Sequence, residues 1–237
     1  GVEVFAWTTR IGAVALNGVP GADASATRDA SPFFSLDPEG DRAATEAVDR
    51  ARLAGDTVGG AFAVRATGVP AGLGDYAQWD ARLDGRLAQA LASIPAVKAV
   101  AIGDGADAAA TPGSAFHDAL RPDGRGGVRR DTNRAGGLEG GVTNGAPIVV
   151  SATMKPIPTL RDPLPSIDLE TGEAVDAGYE RSDVCAVPAA SVVGEAMTAL
   201  VLLDALLEAT GETPWSGFPE AVAAWRRKAL RPGPGAG

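Results

Sequence analysis

The stretch Thr132-Asn-Arg-Ala-Gly-Gly-Leu-Glu-Gly-Gly-Val-Thr-Asn-Gly145 places five glycines within ten positions. Glycine has no Cβ, so this backbone is expected to approach a ligand closely. A strand is expected just after it, over Pro147 to Ala152, followed by the turn Met154-Lys-Pro-Ile-Pro-Thr159. Its two prolines fix φ and remove backbone donors, so the turn stays out of a central sheet and keeps one extended shape. Lys155, at its mouth, is placed to hold an anion such as phosphate; a plain exposed lysine at a strand end is the competing reading. A third segment, Glu180-Arg-Ser-Asp-Val-Cys-Ala-Val-Pro188, carries Arg181 and Asp183 two residues apart. In an extended segment that spacing puts both on one face. They read either as an anion holder beside a proton-handling acid or as a structural ion pair.

Working outward, Val2 to Leu16 alternates as one or two strands, and residues 17–41, rich in Gly, Pro, Ser and Asp, are expected to form a long surface loop. Apolar residues at helical spacing predict helices over Asp41–Leu53 and Leu83–Ile94, with β-like stretches at Thr57–Thr67 and Val97–Ile102. Gly59-Gly60 is expected to mark a bulge or a close approach of two backbones. Residues 103–131, dense in Gly, Asp and Arg, are expected to be irregular and the least ordered internal region. Ala189–Thr210 is apolar on nearly every face, which predicts a helix in the middle of the molecule. Pro219–Leu230 is amphipathic with Val222 and Trp225 as anchors, and 231–237 reads as a disordered tail. The whole, 1–237, is expected to form a single domain.

Composition narrows the function classes. A net charge of -9 argues against a general nucleic-acid binder. The most apolar run, Ala196 to Leu207, is shorter than the ~20 residues of a membrane helix, so no membrane partner is expected. The single cysteine, Cys185, allows no internal disulfide and is expected to be buried and inert. The single histidine, His117, has no ligand cluster around it and is expected to make a local hydrogen bond in a loop, with no metal site. Gly103-Asp-Gly-Ala-Asp-Ala108 fits a dinucleotide fingerprint in letters only, because Pro112 follows closely and Asp104 and Asp107 would repel pyrophosphate. Arg121, Arg125, Arg129, Arg130 and Arg134 form a basic cluster beside the glycine-rich stretch. It reads equally as a site for a small anionic ligand or as a solvated loop.

Taken together, the three motifs and the stretches Gly72-Leu-Gly-Asp-Tyr76, Trp79 to Ala90, Ser93-Ile-Pro-Ala-Val-Lys98 and Val192-Val-Gly-Glu-Ala-Met197 resemble the chorismate synthase family. The resemblance implies an α+β fold, a β-α-β sandwich with antiparallel sheets packed around buried helices. It implies a cytoplasmic homotetrameric lyase of the shikimate pathway that acts on 5-enolpyruvylshikimate 3-phosphate with reduced FMN. NADP is a further expected nucleotide. By the same resemblance the FMN contacts carry over to Pro95, Ala96, Gly140, Lys155, Pro156, Ile157, Pro158, Thr159 and Arg181. Asp183 and Arg181 take the catalytic positions, and Arg134 and Arg181 bind substrate or another anion. Pro95 departs from the polar amide residue common at its position. The family's opening Gly-Glu-Ser-His-Gly motif, its Pro-Gly-His-Ala segment and its Arg-x-Ser-Ala-Arg segment are not in this sequence, and both catalytic histidines go with them. The chain, which opens at Gly1 inside a strand pattern, is therefore expected to be the family's C-terminal portion. A catalytically inactive flavin- or anion-binding module is the alternative.

Overall fold

The computed structural model describes residues 1–124, 127–211 and 215–229. The expected tail at 231–237 and Arg125 of the basic cluster lie outside the described residues. In chain order the elements are β1 (Glu3–Ile11), β2 (Val14–Ala15), α1 (Ala24–Ala30), α2 (Pro38–Leu53), β3 (Gly60–Thr67), α3 (Leu83–Ala92) and β4 (Val97–Ile102). The short elements α4 (Gly113–Phe116), β5 (Leu120–Pro122), β6 (Val128–Arg130), β7 (Leu138–Glu139) and β8 (Val142–Thr143) follow. Then come β9 (Ile148–Met154), β10 (Pro165–Ile167), β11 (Ala174–Asp176), α5 (Val187–Thr210) and α6 (Phe218–Ala229).

The principal sheet is antiparallel in the order β2-β1-β3-β9-β4. Alternation gives it an apolar face: Ala6 of β1, Phe62, Val64 and Ala66 of β3, and Ile148, Val150 and Ala152 of β9 are all buried. α5 lies across that face on β1 and β3, and α3 packs beside it against β4. Gly194 permits the close seat, since a Cβ there would stand 2.4 Å from the Phe62 ring. Glu195 pins α5 to β1 by accepting from the Ala6 N–H (2.7 Å) and from Arg28 (3.0 Å). The α+β architecture with antiparallel pairing is as expected.

Three expectations change. The loop expected over 17–41 contains α1 and the start of α2. Asp37 caps α2 by accepting from the Gly40 N–H at 2.9 Å, and Pro38 follows it in the first turn, where its missing donor costs nothing. The region 103–131 is built from a 3₁₀ turn (Ala108–Ala110), α4 and the β5–β6 hairpin rather than being irregular throughout. Finally, α5 has 24 residues, so it is long and apolar enough to cross a membrane, unlike the shorter run read from sequence. It is not enclosed on all sides either. Val187, Ala190, Gly194, Thr198, Leu202 and Leu206 are buried, whereas Val192, Leu200, Leu203 and Leu207 form an exposed stripe on the other side. The sheet and α3 give it neighbours on one side, and that burial is the role of a core helix.

Candidate functional site

The Lys155 turn and the Arg181–Asp183 segment come together at one end of the sheet. Both hang from the residues that lead into β3. The Thr57 hydroxyl donates to the Ile157 carbonyl at 2.6 Å, and the Val58 N–H donates to the Val184 carbonyl at 2.9 Å. The Thr159 and Ser182 hydroxyls close the arrangement at 2.9 Å. Gly59 is the point of close approach expected from the sequence, because a Cβ on it would lie 2.3 Å from the Met154 carbonyl oxygen. The Lys155 N–H donates to the Ala96 carbonyl at 2.9 Å, which brings the Pro95-Ala96 turn to the same end. Ala96 has φ +67°, a left-handed conformation that few non-glycine residues adopt.

Charge at this end is uncommitted. Lys155, Arg181 and Asp183 are exposed, and among the described residues none of them makes an ion pair or a side-chain hydrogen bond. Arg181 and Asp183 are thus not the structural ion pair that the sequence left open. Cys185, two residues on, is partly buried, and that burial pushes its thiol above the usual range.

Arg134 and Gly140 lie at the other end of β4 and β9. The Gly103 N–H donates to the Val149 carbonyl, and the Asp104 N–H to the Arg134 carbonyl, both at 2.8 Å. Along β4 this end is about 17 Å from the Ala96 end at the usual rise per residue. The expected site residues therefore fall into two groups, Pro95, Ala96, Lys155–Thr159, Arg181 and Asp183 in one, Arg134 and Gly140 in the other. Around Arg134 a cavity of about 310 Å³ is lined by Asp84, His117, Asp118, Leu138 and Glu139. A larger depression of about 490 Å³ between α3 and α5, lined by Arg86, Gln89, Met197 and Leu200, holds none of the expected residues.

The glycine-rich stretch owes most of its glycines to packing against protein. A Cβ on Gly136 would sit 2.4 Å from the Gly103 nitrogen, on Gly137 2.5 Å from the Pro147 carbonyl, and on Gly141 2.6 Å from the Asp75 carbonyl. Only at Gly140, in the β7–β8 turn, would a Cβ meet nothing within 4 Å, so the expected close approach to a ligand narrows to that residue. The basic cluster narrows in the same way. Asp131 accepts from Arg121 and Arg129 at 2.9 Å each, and Arg130 pairs with Glu139. Among the described residues, Arg134 alone of this cluster has a guanidinium without an ion pair. His117 meets the Phe116 ring edge-on at 6.0 Å and makes no side-chain hydrogen bond among the described residues, in place of the local bond expected of it.

Asp118 is the residue that sequence reasoning missed. Its carboxylate accepts from the Thr132 hydroxyl and from the Arg134 and Ala135 N–H groups at 2.8 and 3.0 Å, which fixes the start of the glycine-rich stretch. Burial works against its ionisation. The Thr132 hydroxyl, the two backbone donors and the Arg130 charge outweigh it, and the carboxyl sits below the usual range. Nothing in the spacing of Asp118 and Thr132 announces this contact; it exists only once the β5–β6 hairpin has folded.

Comparison with known proteins agrees with this architecture. The family model described as chorismate synthase matches residues 1–207. A chorismate synthase of Moorella thermoacetica is 51% identical over 226 residues, covering 95% of this chain and 59% of the relative. One from Chlorobaculum tepidum is 46% identical over 236 residues with the same coverage, 95% and 59%. A solved structure titled as the crystal structure of chorismate synthase superposes with a TM-score of 0.81 at 36% identity, covering 97% of this chain and 64% of that one. The chain thus spans about three fifths of the length of the curated relatives it matches. With its fold, its motif order and these matches in agreement, the chain belongs to the chorismate synthase family.

Proposed function

We propose that the chain supplies part of the active site of a lyase that converts 5-enolpyruvylshikimate 3-phosphate to chorismate. The C–O bond to phosphate breaks, a ring proton is lost and a second double bond forms, with no net redox change. The observation that carries this reading is the Thr159–Ser182 contact, which in a chain of this family joins the Lys155 turn to the Arg181–Asp183 segment.

The residues of the Ala96 end fit reduced FMN. Lys155 and Arg181 offer two uncommitted cations, and Thr159 offers a hydroxyl on a turn fixed by two prolines. Pro95, Ala96 and Pro156 to Pro158 supply backbone and apolar contacts, and Gly140 contributes its open side from the other group. Reduced FMN, when bound, supplies electron density that eases the loss of phosphate. Arg181 holds anionic oxygen and lowers the cost of the charge that develops as phosphate departs. Asp183, two residues on, moves the ring proton. Arg134 holds a second anionic group at its own end of the sheet. On this reading residues 1–237 act as one domain of a cytoplasmic homotetramer with a small-molecule substrate and no nucleic-acid or membrane partner.

The test is steady-state kinetics of the full-length protein with reduced FMN and 5-enolpyruvylshikimate 3-phosphate. Release of inorganic phosphate together with chorismate is expected. A full-length protein that binds flavin and releases neither product would show the inactive binding module instead.

A further inference from the structure

The family model matches residues 1–207, and α6 lies beyond that span at Phe218–Ala229. A helix of 12 residues is marginal in water by itself, so α6 owes its place to what it touches. Phe218 is buried, and Val222 and Trp225 pack on the core. Two of its side chains hydrogen-bond to one loop. The Trp225 indole N–H donates to the Ala71 carbonyl at 3.1 Å, and the Arg226 guanidinium donates to the Gly68 carbonyl. The indole also lies 3.8 Å from where a Cβ on Gly72 would stand.

That loop, residues 68–74, opens the connection 68–82 between β3 and α3 and holds no helix or strand, so its polar backbone groups need partners from elsewhere. On its other side they find Thr143. The Gly72 N–H donates to the Thr143 carbonyl (2.8 Å), the Leu73 N–H to the Thr143 hydroxyl (2.9 Å), and the Thr143 N–H to the Leu73 carbonyl (3.0 Å). The Thr143 hydroxyl completes the set by donating to the Pro70 carbonyl at 2.7 Å. Thr143 belongs to β8, one arm of the hairpin whose turn carries Gly140. The loop is thus clamped between α6 and the glycine-rich hairpin, and each of its faces is satisfied by a different partner.

We propose that Trp225 is a positioning residue for the glycine-rich hairpin, acting through the 68–74 loop, and that α6 is the clasp that holds this loop in register. Removal of the indole frees the Ala71 carbonyl and opens space over Gly72, so the loop and its bonds to Thr143 loosen together. The inference concerns the hairpin itself and holds whatever that hairpin binds.

Hydrogen exchange on the intact chain tests it, with Trp225→Ala, Trp225→Phe and, as a remote control, Val48→Ala in α2. Trp225→Ala is expected to speed exchange at the Gly72, Leu73, Thr143 and Asn144 amides by about tenfold or more, with the β3 and β9 amides changed less than about twofold. Trp225→Phe keeps a ring over Gly72 and loses only the N–H, so it is expected to give a smaller acceleration at the same amides. Val48→Ala is expected to leave this local pattern absent. Unchanged exchange at Thr143 in both Trp225 variants would overturn the proposal. So would an acceleration shared equally by β3 and β9, or the same local pattern in Val48→Ala. If Trp225→Ala does not fold, the Trp225→Phe comparison alone decides by the same criteria.

Discussion

At the Ala96 end of β4 and β9, side-chain charge is left uncommitted on a backbone pinned by a few long-range bonds; at the Gly103 end, backbone packs on backbone and most charges are paired. The sequence looks richer at the second end, with its glycines and arginines. Most of that richness is spent on folding, since Gly136, Gly137 and Gly141 face protein atoms and Arg121, Arg129 and Arg130 face carboxylates. A dense motif therefore marks a tight place in the chain, and a free charge on a rigid turn marks a place that folding has not used.

The sharpest way to break this contrast is glycine replacement. Gly136 and Gly140 share φ +62°, but only Gly136 has backbone where a Cβ would go. Gly136→Ala is expected to destabilise by at least ~4 kcal/mol, the range reserved for forced overpacking. Gly140→Ala is expected to cost only the ~1–2 kcal/mol of a left-handed alanine. Urea titrations of the two variants check this, and equal losses would show that φ, not packing, sets the cost.

Next in size is Asp183→Asn in the full-length protein. It keeps shape but cannot take a proton, so kcat is expected to fall ~10²–10⁴-fold with KM little changed. Arg181→Ala is expected to weaken substrate or flavin binding by ~1.5–3 kcal/mol and so to raise KM. Steady-state kinetics separates the two; full turnover in Asp183→Asn would refute the proton-handling role.

A smaller effect belongs to Asp118. Its folded pKa lies below the ordinary value, so its contribution is fully present above the unfolded value of about 3.9 and is lost as pH falls through the lower folded value. The stability gap between wild type and Asp118→Asn is expected to be widest near neutrality and to close in acid. Thermal melts across that range measure it, and a gap independent of pH would assign the loss to shape alone. The smallest change is expected for Arg121→Ala. Water screens that exposed pair with Asp131, and Arg129 still serves Asp131, so melting temperatures of the variant and the wild type are expected to coincide.

Local chemistry was legible in the sequence wherever it acts locally. The alternation of Val97–Ile102, the helical spacing of α3 and α5, and the approach at Gly59 all appear in the structure close to where they were read. The Asp37-Pro38 start of α2 was also a local signal, hidden inside a loop-like composition. What was not legible depends on distant partners. No spacing rule joins Thr57 to Ile157, Thr159 to Ser182 or Asp118 to Arg134, and without them nothing says that Lys155 and Arg181 share one end of the sheet while Arg134 takes the other. The exposed stripe of α5 escaped for a related reason, because apolar composition does not say which side has a neighbour.

The Thr159–Ser182 contact has one more consequence. The chain leaves the proposed site at Thr159, runs out through the exposed β10–β11 hairpin and returns at Ser182, so the two ends of this excursion are in hydrogen-bond contact. An excursion closed at its base is tolerant of length, because each doubling of a closed loop costs only about 0.6 kcal/mol. Insertions and deletions in the arm therefore leave Lys155 and Arg181 where they are. The arm's outline is free to drift in evolution, or to be trimmed in the laboratory, while the hydroxyl contact at its root stays fixed.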